Sequence, residues 1–226
     1  MRSTESLLQA PSASFVYVDA TVPLRGVTPV WETDPPVLVE RVASFEAGDS
    51  CNITHISFSV HAGTHLDAPC HFLTEGAAVE QLPLEVLCGA AYVLNLETVT
   101  GAVEPANLEG VPEHCERLVL RTANTSRALM RSPEFTRDYA HLSPEAAKWI
   151  ASRGIRLVGI DYLSVERFGP PEPVVHRTLL RAGIIPVEGL DLTDVEPGWW
   201  ELICLPLRIT GSDGSPVRAV FRRPAG

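Results

Sequence analysis

The sequence predicts one α/β domain built from many strands and few helices. Three observations carry that class. The 226 residues contain no internal repeat, low-complexity tract or linker, which suits a single domain with a substantial core. Short apolar runs rich in β-branched and aromatic residues recur along the chain, at 15–21, 37–44, 90–96, 117–122 and 155–160. Only residues 143–154 carry a full set of helix signals.

The elements follow in order. Residues 1–14, rich in Ser, Ala and Gln, predict a loose arm and leave 15–226 as the domain. A strand at 15–21 precedes a Pro-punctuated loop, 23–36, that carries Trp31. A strand at 37–44 ends in a turn at Glu46-Ala47-Gly48-Asp49. Thr54, Ile56, Phe58 and Val60 then alternate with His55, Ser57, Ser59 and His61, the period of a half-buried strand that would end at His61. Gly63 and Pro69 break regular structure and predict a loop beyond it. A short helix is expected near Glu104 and Pro105. Ser143 is an N-cap, Pro144 fits the first helical position, and Glu145 suits the positive end of the dipole. Ala146, Ala147, Ile150 and Ala151 form the apolar stripe, and Gly154 ends the helix. A buried strand at 155–160 delivers Asp161 and Ser164 to its end. Val175, His176, Leu179 and Leu180 share one helical face, Gly183 ends that helix, and a short strand carries Glu188. Near the end, Asp213-Gly214 predicts a hairpin turn between strands at 200–209 and 217–222.

Composition excludes several partners. The hydrophobic fraction of 45% and charged fraction of 20% are those of a soluble globular protein. A net charge of -10 opposes a nucleic-acid partner, which needs a basic surface. No apolar run is long enough to span a membrane, and the N-terminus lacks the apolar core of a signal peptide. Five scattered cysteines without a Cys-x-x-Cys pair suit reduced thiols and a cytoplasmic location. Cys70 is placed to line a pocket, though small buried packing is the commoner duty of a free thiol than nucleophilic attack.

The chemistry concentrates at His61, His65, Asp67 and His71, three imidazoles and a carboxylate within eleven positions. A lone His is usually a hydrogen-bonded structural residue, but four such groups on one short stretch point to a metal or catalytic site. His71 is either a ligand or a free base. There is no His-Glu-x-x-His, no Gly-x-Ser-x-Gly and no Gly-x-Gly-x-x-Gly, so zincin, serine-hydrolase and Rossmann chemistries are set aside.

The pattern His61-x-Gly-Thr-His65-x-Asp67-x-Pro-x-His71 resembles the signature of the cyclase family of metal-dependent hydrolases, which includes bacterial kynurenine formamidases and isatin hydrolases. Two further blocks extend the resemblance over nearly the whole chain. They are Leu142-Ser-Pro-Glu-Ala-Ala147, and His176-x-x-Leu-Leu-x-x-Gly-Ile with Glu188 twelve residues after the His. The resemblance implies a swivelling β/β/α fold with mixed sheets, a homo-oligomer (commonly a dimer or tetramer), and Trp31 near the substrate mouth. It also implies that His176 and Glu188 join His61, His65 and Asp67 around a divalent metal, zinc or manganese. They either complete one site or, with Asp67 bridging, hold a second ion. Three departures stand out. Ala123-Asn-Thr-Ser follows Arg121-Thr122 where family members often carry Gly-Trp, which points away from a dedicated kynurenine formamidase. Glu166 stands where an Asp is frequent, and Gly189 where an Asn is.

A bound zinc lowers the pKa of its water to about 7, and the resulting hydroxide is expected to attack an amide or ester carbonyl. His71 is the candidate general acid and base, because an imidazole titrates near neutrality. The resemblance gives the last His of the motif the same role. The expected activity is hydrolysis of a small-molecule substrate, a small cyclic or aryl amide, ester or lactone. Kynurenine formamidase proper and a metal-dependent lyase or isomerase are the alternatives. A non-catalytic metal-binding module is the reading from another class, and His71 speaks against it, since a closed structural site needs four ligands and no spare base.

Overall fold

The computed structural model describes residues 14–225. The arm expected over 1–14 lies outside the described residues except for Ser14. Among the described residues thirteen strands run in chain order: β1 Phe15–Asp19, β2 Leu38–Ala43, β3 Ile53–Ser57, β4 His65–Asp67, β5 Cys88–Leu96, β6 Ala102–Val103, β7 Arg117–Thr122, β8 His141–Leu142, β9 Leu157–Ile160, β10 Ile185–Glu188, β11 Gly198–Ile203, β12 Gly214–Pro216 and β13 Val220–Pro224. The four α-helices among the described residues are α1 Leu84–Leu87, α2 Ala123–Ser126, α3 Pro144–Ala151 and α4 Val174–Arg181. The many-stranded, helix-poor α/β domain expected from the sequence is therefore present.

Nine strands form one mixed sheet in the order β1-β13-β11-β5-β7-β9-β10-β4-β12. Its centre, β5 to β10, is parallel, and both flanks are antiparallel. The alternation of side chains along a strand divides the core between the two faces. Leu118 and Leu120 of β7 pack with Val158 and Ile160 of β9 beneath α3 and α4. Val119 and Leu157 face the other way, onto Leu66, Val187, Leu202 and Phe221. The apolar stripe of α3, Ala146, Ala147 and Ile150, is buried, and the Ser143 side chain caps it by accepting from the Ala146 N–H. The helix stops at Ala151, slightly earlier than the pattern suggested, and Gly154 takes φ 74° in the connection to β9.

Three expectations are corrected. Positions 54–57 of the alternation lie in β3, but β3 pairs only with β2, and both of its faces are exposed in the single chain. The pattern is there, but no second layer covers it, and the strand ends at Ser57, before His61. The segment after Gly63 is not simply a loop. His65, Leu66 and Asp67 make β4, and Pro69 opens a 3₁₀ turn, Pro69–His71, where its fixed φ fits the first position. Finally, Asp213-Gly214 is not the tip of a hairpin. β11 and β13 do pair, but the chain between them crosses to the far edge and lays β12 against β4.

Candidate metal centre

Strand β4 sets the geometry. His65 and Asp67 are two residues apart and share one face, while Leu66 points into the apolar core. The antiparallel register puts Glu188 of β10 opposite His65. Helix α4 buries Val175, Leu179 and Leu180, and the same face brings His176 inward. The Nε2 of His65 lies 3.3 Å from Glu188 Oε2 and 3.7 Å from Asp67 Oδ1. The Nε2 of His176 lies 3.3 Å from Glu188 Oε1 and 3.7 Å from Asp67 Oδ2. His61 approaches from the preceding turn, its Nδ1 3.1 Å from Asp67 Oδ1. The five residues expected from the sequence thus meet in two donor groups, His61–His65–Asp67 and Asp67–His176–Glu188, with Asp67 common to both.

The backbone approach is tight. Gly189 adopts φ 69°, and a Cβ there would lie 2.1 Å from the Gly63 carbonyl oxygen. Thr64 donates its hydroxyl to the Gly189 carbonyl at 2.6 Å and accepts from the Val22 N–H at 2.9 Å. These contacts give a physical reason for glycine, rather than asparagine, after Glu188.

Hydrogen bonds orient the rings. The Nδ1–H of His65 donates to the Gly63 carbonyl at 3.0 Å. The Nδ1–H of His176 donates to Glu166 Oε2 at 2.8 Å, and Glu166 also accepts from the backbone N–H groups of Val175 and His176. Both rings then turn Nε2 toward the carboxylates. Glu166 had no assigned role on sequence grounds, because nothing local ties it to a ring ten positions later. Carboxylates that hold ligand histidines in this way typically contribute 10–100-fold to metal affinity or activity. Glu166→Gln is expected to weaken metal binding by about that factor while leaving the fold unchanged, as read by metal titration beside circular dichroism. An unchanged affinity would show that the His176 ring needs no such support.

The donors suit a divalent metal. The Oδ2 of Asp67 is fully buried and has no hydrogen-bond partner among the described residues, a costly state unless a cation satisfies it. Nitrogen and carboxylate donors around it form a set such ions accept. Burial opposes charge on His61, but the hydrogen bonds and charges of Asp67 and Asp213 outweigh it and push the imidazole up to about 9. Burial likewise opposes charge on His176, and Glu166, Glu188 and Asp67 push it up to about 10. The same partnerships hold the Asp67 and Glu188 carboxyls below their usual range against the opposing effect of burial.

A metal must displace the ring protons, so loading releases them. Affinity is therefore expected to rise as pH increases toward 9, by about tenfold per pH unit for each proton released. Competition with a chromophoric chelator at several pH values measures this, and a flat profile would contradict it.

His71 stands apart from both donor groups around Asp67. Its ring stacks on His61 at 4.1 Å and 26°, and its Nδ1 lies 3.1 Å from Asp213 Oδ2. Its Nε2 has no partner among the described residues. Burial, countered in part by Asp67 and Asp213, leaves its pKa below the usual value. Asp213 itself was overlooked in the sequence, because Asp-Gly reads as a turn. Gly214 is needed here for a different reason, since a Cβ would lie 2.6 Å from His61 Cε1.

A cavity of about 410 Å³ opens beside these groups. Its walls include His61, His65, His71, His176 and Glu188, with Trp31, Phe72, Leu163, Pro170 and Pro173 supplying apolar surface. Trp31 thus lines the cavity, while its ring also packs on Phe135 and Phe168. Cys70 does not line the cavity, and burial together with the Asp213 charge raises its thiol pKa. Residues 123–126 do not line it either. Asn124 and Thr125 instead donate to the buried Asp161 carboxylate, so the missing Gly-Trp bears on that cradle and not on the cavity wall.

The chain is similar to known proteins over most of its length. Residues 18–167 match the family model described as "Putative cyclase". The chain is 38% identical over 210 residues to a kynurenine formamidase of Bacillus cereus, covering 91% of this chain and 97% of that protein. A kynurenine formamidase of Bacillus cytotoxicus is 35% identical over the same lengths. Among solved structures, one described as a potential metal-dependent hydrolase with cyclase activity superposes with a TM-score of 0.81 at 28% identity, covering 94% of this chain and all (100%) of that one. Isatin hydrolase A from Labrenzia aggregata shares the fold, with a TM-score of 0.81 at 23% identity over 93% of this chain and 94% of its own.

Proposed function

The chain belongs to the cyclase family, and from that premise we propose that it is a metal-dependent hydrolase of small cyclic or aryl amides, or of related esters and lactones. In this reading His61, His65, Asp67, His176 and Glu188 hold the ion, zinc or manganese, and His71 is the general acid and base. The observation that carries it is the convergence of five donors beneath an open cavity, with an uncommitted imidazole nitrogen on its wall. A closed structural site would have neither the cavity nor the spare base.

A divalent ion at this place supplies Lewis acidity toward a carbonyl oxygen and a water of lowered pKa. The protein's own groups do the rest. Trp31, Phe72 and Leu163 offer apolar surface to an aryl ring and keep bulk water from it. His71 would take at Nε2 the proton of the water that attacks the carbonyl and return it to the nitrogen or oxygen that departs as the C–N or C–O bond breaks. Phe72 stacks on His176 at 4.3 Å and holds that ring in place.

Elemental analysis followed by a screen of aryl formamides, isatins and lactones tests the reading. Turnover of at least one class, lost on chelation and restored by metal, is expected. No turnover by the loaded protein across all three would overturn it. The second reading, kynurenine formamidase proper, is favoured by the relatives of that name at 38% identity. Turnover of N-formylkynurenine far above every other amide and lactone would select it.

The proposal extends to assembly as a homo-oligomer, a dimer or tetramer, in the cytoplasm. No described helix is long and apolar enough to cross a membrane, and all five cysteines are free thiols. The β2–β3 hairpin supports assembly, because Leu38, Val39, Val42, Ile53 and Ile56 stand about half exposed on an isolated two-stranded sheet. Such sheets are marginal alone. Ile56→Lys is expected to shift the protein to monomer in light scattering, and an unchanged mass would place any interface elsewhere.

A further inference from the structure

The hydrolase reading leaves Asp213 without a role, and its geometry points to one. We infer that Asp213 is a positioning residue that sets the tautomers of two histidines at once, His61 and His71. A single oxygen, Oδ2, lies 2.9 Å from His61 Nε2 and 3.1 Å from His71 Nδ1. An ionised carboxylate only accepts, so each nitrogen facing it carries a hydrogen. In the neutral rings the opposite nitrogens are then bare. For His61 that atom is Nδ1, which belongs to the Asp67 side of the ring at 3.1 Å. For His71 it is Nε2, which has no partner among the described residues, on a ring that lines the cavity. One carboxylate therefore makes His61 a ligand through Nδ1 and His71 a base through Nε2.

The surroundings hold the carboxylate in place. The Asp213 carbonyl accepts from the Ala68 N–H at 2.8 Å, and the adjacent Ser212 carbonyl accepts from the Val79 N–H at 3.0 Å. Gly214 lets this backbone run under His61, and the 4.1 Å stack of the two rings brings both nitrogens within reach of one oxygen. The Asp213 side chain is 46% exposed, so its contribution is one of orientation more than of a desolvated charge. His61, His71 and Asp213 also lie close enough to hold an ion of their own. We favour hydrogen bonding because every one of the three contacting atoms already has a partner, whereas the orphaned oxygen belongs to Asp67.

The catalytic half of this inference rests on the hydrolase reading, and the tautomers do not. The test reads ring nitrogen shifts in zinc-loaded protein labelled with ¹⁵N-histidine. In the wild type His71 is expected to carry its hydrogen on Nδ1 and His61 on Nε2. Asp213→Asn is expected to mix the His71 tautomers and to lower kcat by about 10–100-fold, with KM and zinc content little changed. In a His71→Ala background the same change is expected to have little further effect on kcat, because the proton transfer that Asp213 governs runs through the His71 ring, while the bound zinc itself holds His61 on Nδ1. A wild-type His71 protonated on Nε2 alone would overturn the inference. So would additive effects of the two substitutions, or the loss of one zinc per chain in Asp213→Asn, which would make Asp213 a ligand. If the variant does not fold, the wild-type spectrum decides by itself. Absence of any turnover would count against the hydrolase reading and leave the tautomer result standing.

Discussion

His65→Ala is expected to lose bound metal and activity together. The His65 ring is almost wholly buried, its Nδ1–H is fixed on the Gly63 carbonyl, and its Nε2 faces Glu188 and Asp67. Removing it takes away a donor and leaves the two carboxylates facing each other with less compensation, so the ion is held less well as charge repulsion grows. Sheet register argues that the fold survives: β4 keeps its backbone pairing with β10 and β12, and Leu66 stays in the core. The measurement is metal per chain after dialysis, beside turnover. Full metal content with full activity would remove His65 from the site.

His71→Ala is expected to behave differently, keeping the fold and most of the metal while turnover falls by roughly 10²–10⁴-fold. That range corresponds to about 3–5 kcal/mol in activation free energy. Two observations separate His71 from the ligands. It lies outside the groups that share Asp67, and its Nε2 has no partner among the described residues. The 3₁₀ turn at Pro69–His71 lies outside β4, the strand that carries His65 and Asp67. Loss of metal as complete as in His65→Ala would make His71 a ligand. Full activity with metal retained would move the proton transfer to another group, and Glu188 is the next to examine.

Much of this protein was legible in one dimension because its signals are local. The helix from Ser143 announces itself through an N-cap, a first-turn proline and a 3.6-residue stripe, all within a dozen positions. The spacing of His61, His65 and Asp67 exposed a candidate site because a short segment supplies three of its five proposed ligands. His176 and Glu188 needed the family resemblance, since each alone reads as an ordinary polar residue on a helix and a strand.

What the sequence by itself determined was the α/β class and the gathering of three histidines and one aspartate between His61 and His71. Only the tertiary structure decided which groups surround them. Glu166 and Asp213 turn the rings of His176, His61 and His71, yet they lie ten and more than a hundred positions from the rings they hold. Asp213-Gly214 has the local chemistry of a turn, and only the crossing of that segment to the sheet edge beside β4 turns it into a carboxylate over a glycine that His61 can pack against. The exposed alternation of β3 teaches the same lesson from the other side. A period-2 pattern specifies which side chains share a face, but burial requires a second layer, and the position of that layer is set by contacts between remote parts of the chain.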